Sequence, residues 1–205
     1  MESAEKGGGR MKGICRLENI PGTNFDIGKM GGVTGMEFLD KVFYIAKGIM
    51  LGQIREITGL DGTTLQNWVK RGWVPNPTKK TYDKEQLARI LLICMMRDTM
   101  QLSRVAFVLQ YINGLTEEDK IIKESELYDI VCRVMTELTA ETGSMGSIDE
   151  VIDHLLADYE EPVTGAKRRL SNGIRIIAYT YYSAIIKEHA DGMIDELGAE
   201  KKRKR

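Results

Sequence analysis

Apolar residues recur at intervals of three and four positions along most of the chain after residue 35, the spacing of amphipathic helices. The pattern predicts helices over residues 36–50, 52–58, 63–71, 84–98, 102–113, 116–141, 148–159 and 167–197. Pro75 and Pro77 keep the chain extended between two of these helices, and no segment alternates with period two for long enough to form a substantial sheet. We therefore predict an all-α fold with at most a small β wing near residues 73–82.

Glycine content and helical pattern divide the chain into four parts. Residues 1–35 are rich in glycine and weakly patterned, which predicts a flexible N-terminal arm. Residues 36–113 hold a run of short helices and predict a first domain. Residues 114–200 predict a helical region used for packing or dimerisation, and residues 201–205 form a basic tail.

Composition excludes several classes of protein. A chain of 205 residues with 42% hydrophobic and 29% charged residues is typical of a globular protein. Three widely separated cysteines and two histidines do not predict a disulfide scaffold or a structural metal site. No residues are spaced like a catalytic constellation or a cofactor site, so we expect no enzyme and no cofactor. The N-terminus lacks the apolar core of a signal peptide, and no apolar run reaches the ~18 residues of a membrane helix, so we expect a cytoplasmic protein that does not bind membranes.

The net charge of −1 conceals two positively charged blocks with a negatively charged block between them. Residues 47–113 carry ten basic and five acidic side chains, a net charge of +5. Residues 114–162 carry three basic and fourteen acidic side chains, a net charge of −11, and residues 163–205 return to +5. A basic segment of this kind is one feature of proteins that bind polyanions.

The basic segment coincides with a pair of short predicted helices. A glycine-containing turn joins them, as in a helix-turn-helix, whose second helix can enter the major groove of DNA. The outer face of that helix would display polar side chains, because its apolar residues point toward the first helix. Asn and Gln can pair with adenine edges, and Lys and Arg can contact phosphates or guanine. These candidate DNA-binding residues are Thr63, Thr64, Gln66, Asn67, Lys70 and Arg71; they could also be ordinary exposed helix residues.

Four short motifs carry a resemblance to known DNA-binding proteins. Residues 58–60 (Thr-Gly-Leu), 64–68 (Thr-Leu-Gln-Asn-Trp), 72–75 (Gly-Trp-Val-Pro) and 82–89 (beginning Tyr-Asp) resemble the winged helix-turn-helix of the mercury-resistance-regulator (MerR) family. Where that family usually has Arg-Tyr, this chain has Gln66-Asn67, and the family's Gly-Tyr-Arg wing segment is missing.

A second resemblance covers the recognition helix and the wing together. Residues 67–70 (Asn-Trp-Val-Lys) and 75–82 (Pro-Asn-Pro-Thr-Lys-Lys-Thr-Tyr) are similar to a bacterial family, domain of unknown function 1836. Taken with the MerR-like motifs, this resemblance implies a recognition helix over residues 63–71 and a short wing over residues 73–82. The wing would add Lys79, Lys80 and Tyr82 to the DNA-binding residues.

These patterns predict a sequence-specific protein for double-stranded DNA, of the kind that regulates transcription. Helix-turn-helix proteins usually bind as two-fold dimers, so we expect a homodimer formed through residues 116–138 or 167–197. The alternative is a protein-interaction module that keeps the fold without binding DNA, motivated by the acidic residues 114–162. The small-molecule effector, if the protein has one, is unknown from the sequence.

Overall fold

The computed structural model describes residues 17–140 and 148–203, and these residues are mostly helical. The elements, in chain order, are α1 (Gly35–Val42), β1 (Ile49–Met50), α2 (Leu51–Thr58), α3 (Gly62–Lys70), β2 (Thr81–Tyr82), α4 (Lys84–Met96), α5 (Leu102–Asn113), a 3-10 turn (Glu117–Asp119), α6 (Glu124–Thr139), α7 (Ile148–Leu155) and α8 (Ala166–Arg203). The all-α prediction is confirmed. None of the helices in the described ranges is long and apolar enough to cross a bilayer.

Helix α4 lies at the centre of the hydrophobic core. Its residues from Gln86 to Met96, apart from Arg89, are buried, and an all-round apolar sequence of this kind is typical of an enclosed helix. Helices α2, α5, α6 and α8 all pack against it. The core is therefore continuous across residue 113, where the sequence predicted a boundary between two parts of the chain.

Residues 17–35 pack against the helical core, so the flexible arm predicted for residues 1–35 is wrong for this part; residues 1–16 lie outside the described range. Ile20 is fully buried, and the hydroxyl of Tyr128 donates to the carbonyl O of Pro21 at 2.8 Å. Gly22 has φ 78°, and a Cβ on it would lie 2.5 Å from the carbonyl O of Leu91. This glycine permits a close approach of two backbones. A count of glycines does not distinguish such a packing role from backbone flexibility.

Several helix boundaries differ from the predicted ones. The first helix ends at Val42, ahead of β1, and α8 extends to Arg203, over the start of the predicted basic tail. Residues 116–123 are not part of α6, because Asp119 accepts hydrogen bonds from the backbone N–H groups of Leu115 and Thr116 and closes a turn there. The helix predicted over residues 102–113 has the predicted bounds.

Candidate nucleic-acid interface

The connection between α2 and α3 fixes the direction in which α3 leaves the body of the protein. The hydroxyl of Thr58 donates to the carbonyl O of Ile54 at 2.7 Å and accepts the N–H of Leu60 at 3.2 Å. Gly59 ends α2 with φ 68°, in the left-handed region that glycine adopts without strain. Leu60 is then buried, so the short turn is anchored in the core on both sides of Gly59.

Helix α3 has a buried face and an exposed polar face, as the sequence predicted. Leu65 and Trp68 lie in the core, with 0% and 2% of their surface exposed. Gln66, Asn67 and Lys70 are exposed on the opposite side. Helix α3 makes its main contacts with α2, so this polar face points away from the central helices.

Asp61 caps the N-terminus of α3. Its Oδ1 accepts the backbone N–H groups of Thr63 and Thr64 at 2.8 and 3.1 Å, and its Oδ2 accepts the Thr64 hydroxyl. The Thr64 hydroxyl hydrogen bond, followed by the backbone ones, lowers the pKa of Asp61 below its usual value. Thr64 therefore serves the cap and is half-buried, whereas Thr63 is exposed.

A tight hairpin brings Lys79 and Lys80 to the tip of the wing. Thr78 and Thr81 exchange two backbone hydrogen bonds of 3.0 Å around them. Lys79 has φ 52° and Lys80 has φ 66°, the pair of positive φ angles that a type I′ turn requires. Neither residue is the Asn or Gly that usually occupies such positions, and both side chains are exposed. The turn thus projects two adjacent cations at a cost in backbone strain.

The base of the wing is held by α4. The side-chain amide of Gln86 donates to the carbonyl O atoms of Pro75 and Asn76 at 3.1 and 2.9 Å. Arg89 donates from Nε to the carbonyl O of Trp73 at 2.5 Å. We did not predict these two positioning residues. Asp83 followed three positions later by Gln86 is a capping-box pattern, and the structure has that box, so the sequence did carry a signal for Gln86.

Tyr82, predicted to contact DNA, lies in the core and does not belong to the exposed surface. It is 4% exposed, and its burial raises the pKa of its hydroxyl. The strand β2 pairs with β1 so that Tyr82 lies opposite Ile49, which is also buried. The neighbour in each strand faces outward, since successive side chains of a strand alternate. Tyr82 is therefore a structural residue of the wing.

The exposed cations of this surface lie at the end of α3 and at the wing tip. Lys70 ends α3, Arg71 follows it, and Lys79 and Lys80 form the wing tip. The guanidinium of Arg71 lies 5.1 Å from the ring centroid of Trp73, a cation–π contact that orients the side chain. We name the exposed surface of Thr63, Gln66, Asn67, Lys70, Arg71, Lys79 and Lys80 the amide–cation face.

Several carboxylates of the acidic segment 114–162 are committed to contacts inside the protein. Glu124 is buried against Arg89, with 2.6 Å between Oε1 and Nη1. Asp129 accepts the N–H of Met36 at 2.7 Å. These groups lie on α6, which packs on α1, α4, α7 and α8. Within residues 17–140 and 148–203, no group of three or more His, Cys, Asp and Glu side chains is arranged to hold a metal ion.

No curated protein and no solved structure matches the chain. Residues 36–131, which run from α1 into α6 and contain the whole amide–cation face, match the family described as Domain of unknown function (DUF1836). This match agrees with the resemblance of residues 67–70 and 75–82 to that family.

Proposed function

We propose that residues 36–113 form a MerR-like winged helix-turn-helix that binds double-stranded DNA and regulates transcription. Helix α3 would enter the major groove, and the wing would contact the adjacent phosphates. The observation that carries the proposal is the amide–cation face. It places two exposed amides on one short helix and cations at the end of that helix and at the wing tip.

The chemistry of each part of the face suits a different part of the duplex. Gln66 and Asn67 can each offer a donor and an acceptor, the pattern that recognises adenine in the major groove. Lys70, Lys79 and Lys80 would neutralise phosphates, which position the protein without reading sequence. The strained backbone at the wing tip supports this role, since an Asn-Gly turn there would be more stable but would lack both charges.

Selection of bound sequences from a random duplex pool by the full chain tests the proposal. We expect a consensus of two related half-sites, because helix-turn-helix proteins usually bind as two-fold dimers. If each protomer neutralises ~4–5 phosphates, the slope of log affinity against log salt is about −4 per half-site. Failure to enrich any sequence, with no binding even at low salt, would overturn the proposal.

A second candidate function is a protein-interaction module that does not bind DNA. The loop between α1 and β1 favours it, because Tyr44 and Ile45 there are 87% and 92% exposed. Exposed neighbouring apolar side chains are typical of protein-binding surfaces. Two of the fourteen carboxylates of the acidic segment, Glu124 and Asp129, are engaged internally. Others, such as Asp153 and Asp158, are exposed and could meet a basic partner.

A further inference from the structure

Helix α8 runs well beyond the body of the protein. It has 38 residues, and its early residues Leu170, Ile174 and Ile177 are buried in the core. Residues 186–199 are all exposed. At 1.5 Å per residue, this exposed part is about 21 Å long.

The face of α8 that packs on the core changes its composition where the helix leaves the body. Buried or half-buried apolar residues on this face, such as Ala178, Tyr181 and Ile185, are followed at the same helical positions by Glu188, Asp191 and Asp195. This side of residues 186–199 is therefore polar and suited to contact with water.

A second face of α8 is exposed from residue 176 to residue 197 and is apolar there except at Ser183. Its residues follow one another at alternating steps of three and four, the spacing of a coiled-coil seam. They are Ile176, Tyr179, Ser183, Ile186, Ala190, Met193 and Leu197, and we name them the α8 seam. Met193 and Leu197 are 55% and 66% exposed.

We propose that a second copy of this chain packs antiparallel on the α8 seam. In one register the two inner pairs of seam residues each join a large side chain to a small one, and the next pair joins two apolar side chains. Met193 faces Ile176 of the second copy, Ala190 faces its Tyr179, and Ile186 faces its Ser183. Alternation of large and small side chains lets two helices interdigitate without voids, as close packing requires.

The residues beside the seam fit the same register. Ile194 of one copy would lie next to Gly173 of the other, where α5 packs against α8: a Cβ on Gly173 would lie 2.3 Å from Cγ1 of Ile112. On this flank α5 exposes Phe107 and Tyr111, 66% and 38% of their surfaces. Ile194, 65% exposed, would cover them.

The charges beside the seam also agree with the antiparallel arrangement. Glu196 of one copy would lie across from Arg175 of the other. The side chain of Arg175 is 32% exposed, although its Nε donates to Asp149 at 2.6 Å and its Nη1 donates to Asn172 at 3.1 Å within the chain. A second carboxylate can approach the exposed part of this side chain. The inference goes beyond DNA binding and is tested without DNA, so its failure would be distinct from failure of the proposed function.

The oligomeric state of the full chain tests the proposal. Light scattering after gel filtration should give twice the chain mass. Met193→Glu should shift the protein to a monomer, because it buries a charge between two apolar faces. Val163→Glu, which adds the same charge at a position 54% exposed and off the seam, should leave the dimer intact. A monomeric wild type, or a dimer that survives Met193→Glu, would overturn the proposal.

Charge reversal at two neighbouring residues, Glu196 and Asp195, tests the same dimer without changing an apolar residue. Glu196→Lys, beside the seam, should raise the dimer dissociation constant by at least tenfold, since it would face Arg175. Asp195→Lys, on the water-facing side of α8, should leave that constant unchanged. Equal effects from the two variants would contradict the interface.

Disulfide trapping tests the direction of packing. In a Cys15→Ser background, an equal mixture of Ala190→Cys and Tyr179→Cys proteins should form a mixed cross-linked dimer on oxidation. Burial raises the pKa of Cys94 and of Cys132 to about 12, which keeps both thiols out of the reaction. Cross-linking of Ala190→Cys with itself, and none in the mixed pair, would show parallel helices and overturn the register.

Discussion

Arg89 and Glu124 form a nearly buried ion pair, with 2.6 Å between Nη1 and Oε1 and with 16% and 6% of the two side chains exposed. Arg89 also donates to the carbonyl O of Trp73, at the start of the wing. The pair therefore connects the wing to the first turn of α6. The position of the wing depends on a residue that is 35 positions further along the chain than Arg89.

Glu124→Ala should lower the free energy of unfolding by about 3–5 kcal/mol, because the Arg89 guanidinium would stay buried without its counter-charge. Chemical denaturation followed by far-UV circular dichroism measures this. The exposed pair of Lys123 and Glu126, 3.5 Å apart, supplies the control, and Glu126→Ala should cost less than about 1 kcal/mol. Similar losses in both variants would show that burial of the first pair has no energetic consequence.

The sequence predicts this fold best where apolar residues recur at helical spacing and a residue such as glycine marks the end of a helix. The inner residues of α3 follow from helical spacing, and Gly59 marks the turn before them. Tyr82 could not be placed, because β1 and β2 have two residues each and show no alternation to read. The packing of the segment around Ile20 could not be predicted either, because it depends on residues more than a hundred positions further along the chain. The hydrogen bond from the Tyr128 hydroxyl to the carbonyl O of Pro21 is an example.

Two glycines of α8 should respond in opposite directions to the same substitution. Gly173→Ala places a methyl group against the buried Ile112 and should cost about 1–3 kcal/mol by overpacking. Gly192→Ala meets no atom within 4 Å and should stabilise the protein by about 1 kcal/mol through helix propensity. Thermal denaturation of the two variants measures the difference. A loss from Gly192→Ala would mean that its surroundings are not open.

Replacing Lys79 and Lys80 by residues that favour a type I′ turn should stabilise the wing tip and weaken its binding to DNA. Lys79→Asn with Lys80→Gly supplies residues that accept positive φ, and should raise the free energy of unfolding by about 1–2 kcal/mol. The same variant removes two cations, so the slope of log affinity against log salt should become shallower by about 2. An unchanged slope would show that Lys79 and Lys80 do not contact DNA phosphates.

The cap of α3 should be sensitive to acid. Because hydrogen bonds lower the pKa of folded Asp61, the ionised group stabilises the fold at pH values above its unfolded pKa. This stabilisation is lost as the pH falls through the folded pKa. The melting temperature of Asp61→Ala should therefore lie below that of the wild type at pH 7, and the gap should narrow below about pH 4. A gap independent of pH would mean that charge does not contribute to the cap.

Asn67→Ala tests most directly whether the amides of α3 read bases. Fluorescence anisotropy should compare the wild type, Asn67→Ala and the control Gln110→Ala, an exposed amide on α5, on the selected duplex and on a scrambled one. We predict that Asn67→Ala loses about 1–3 kcal/mol on the selected duplex only, and that Gln110→Ala loses nothing. Equal weakening of Asn67→Ala on both duplexes, or none on either, would contradict the account.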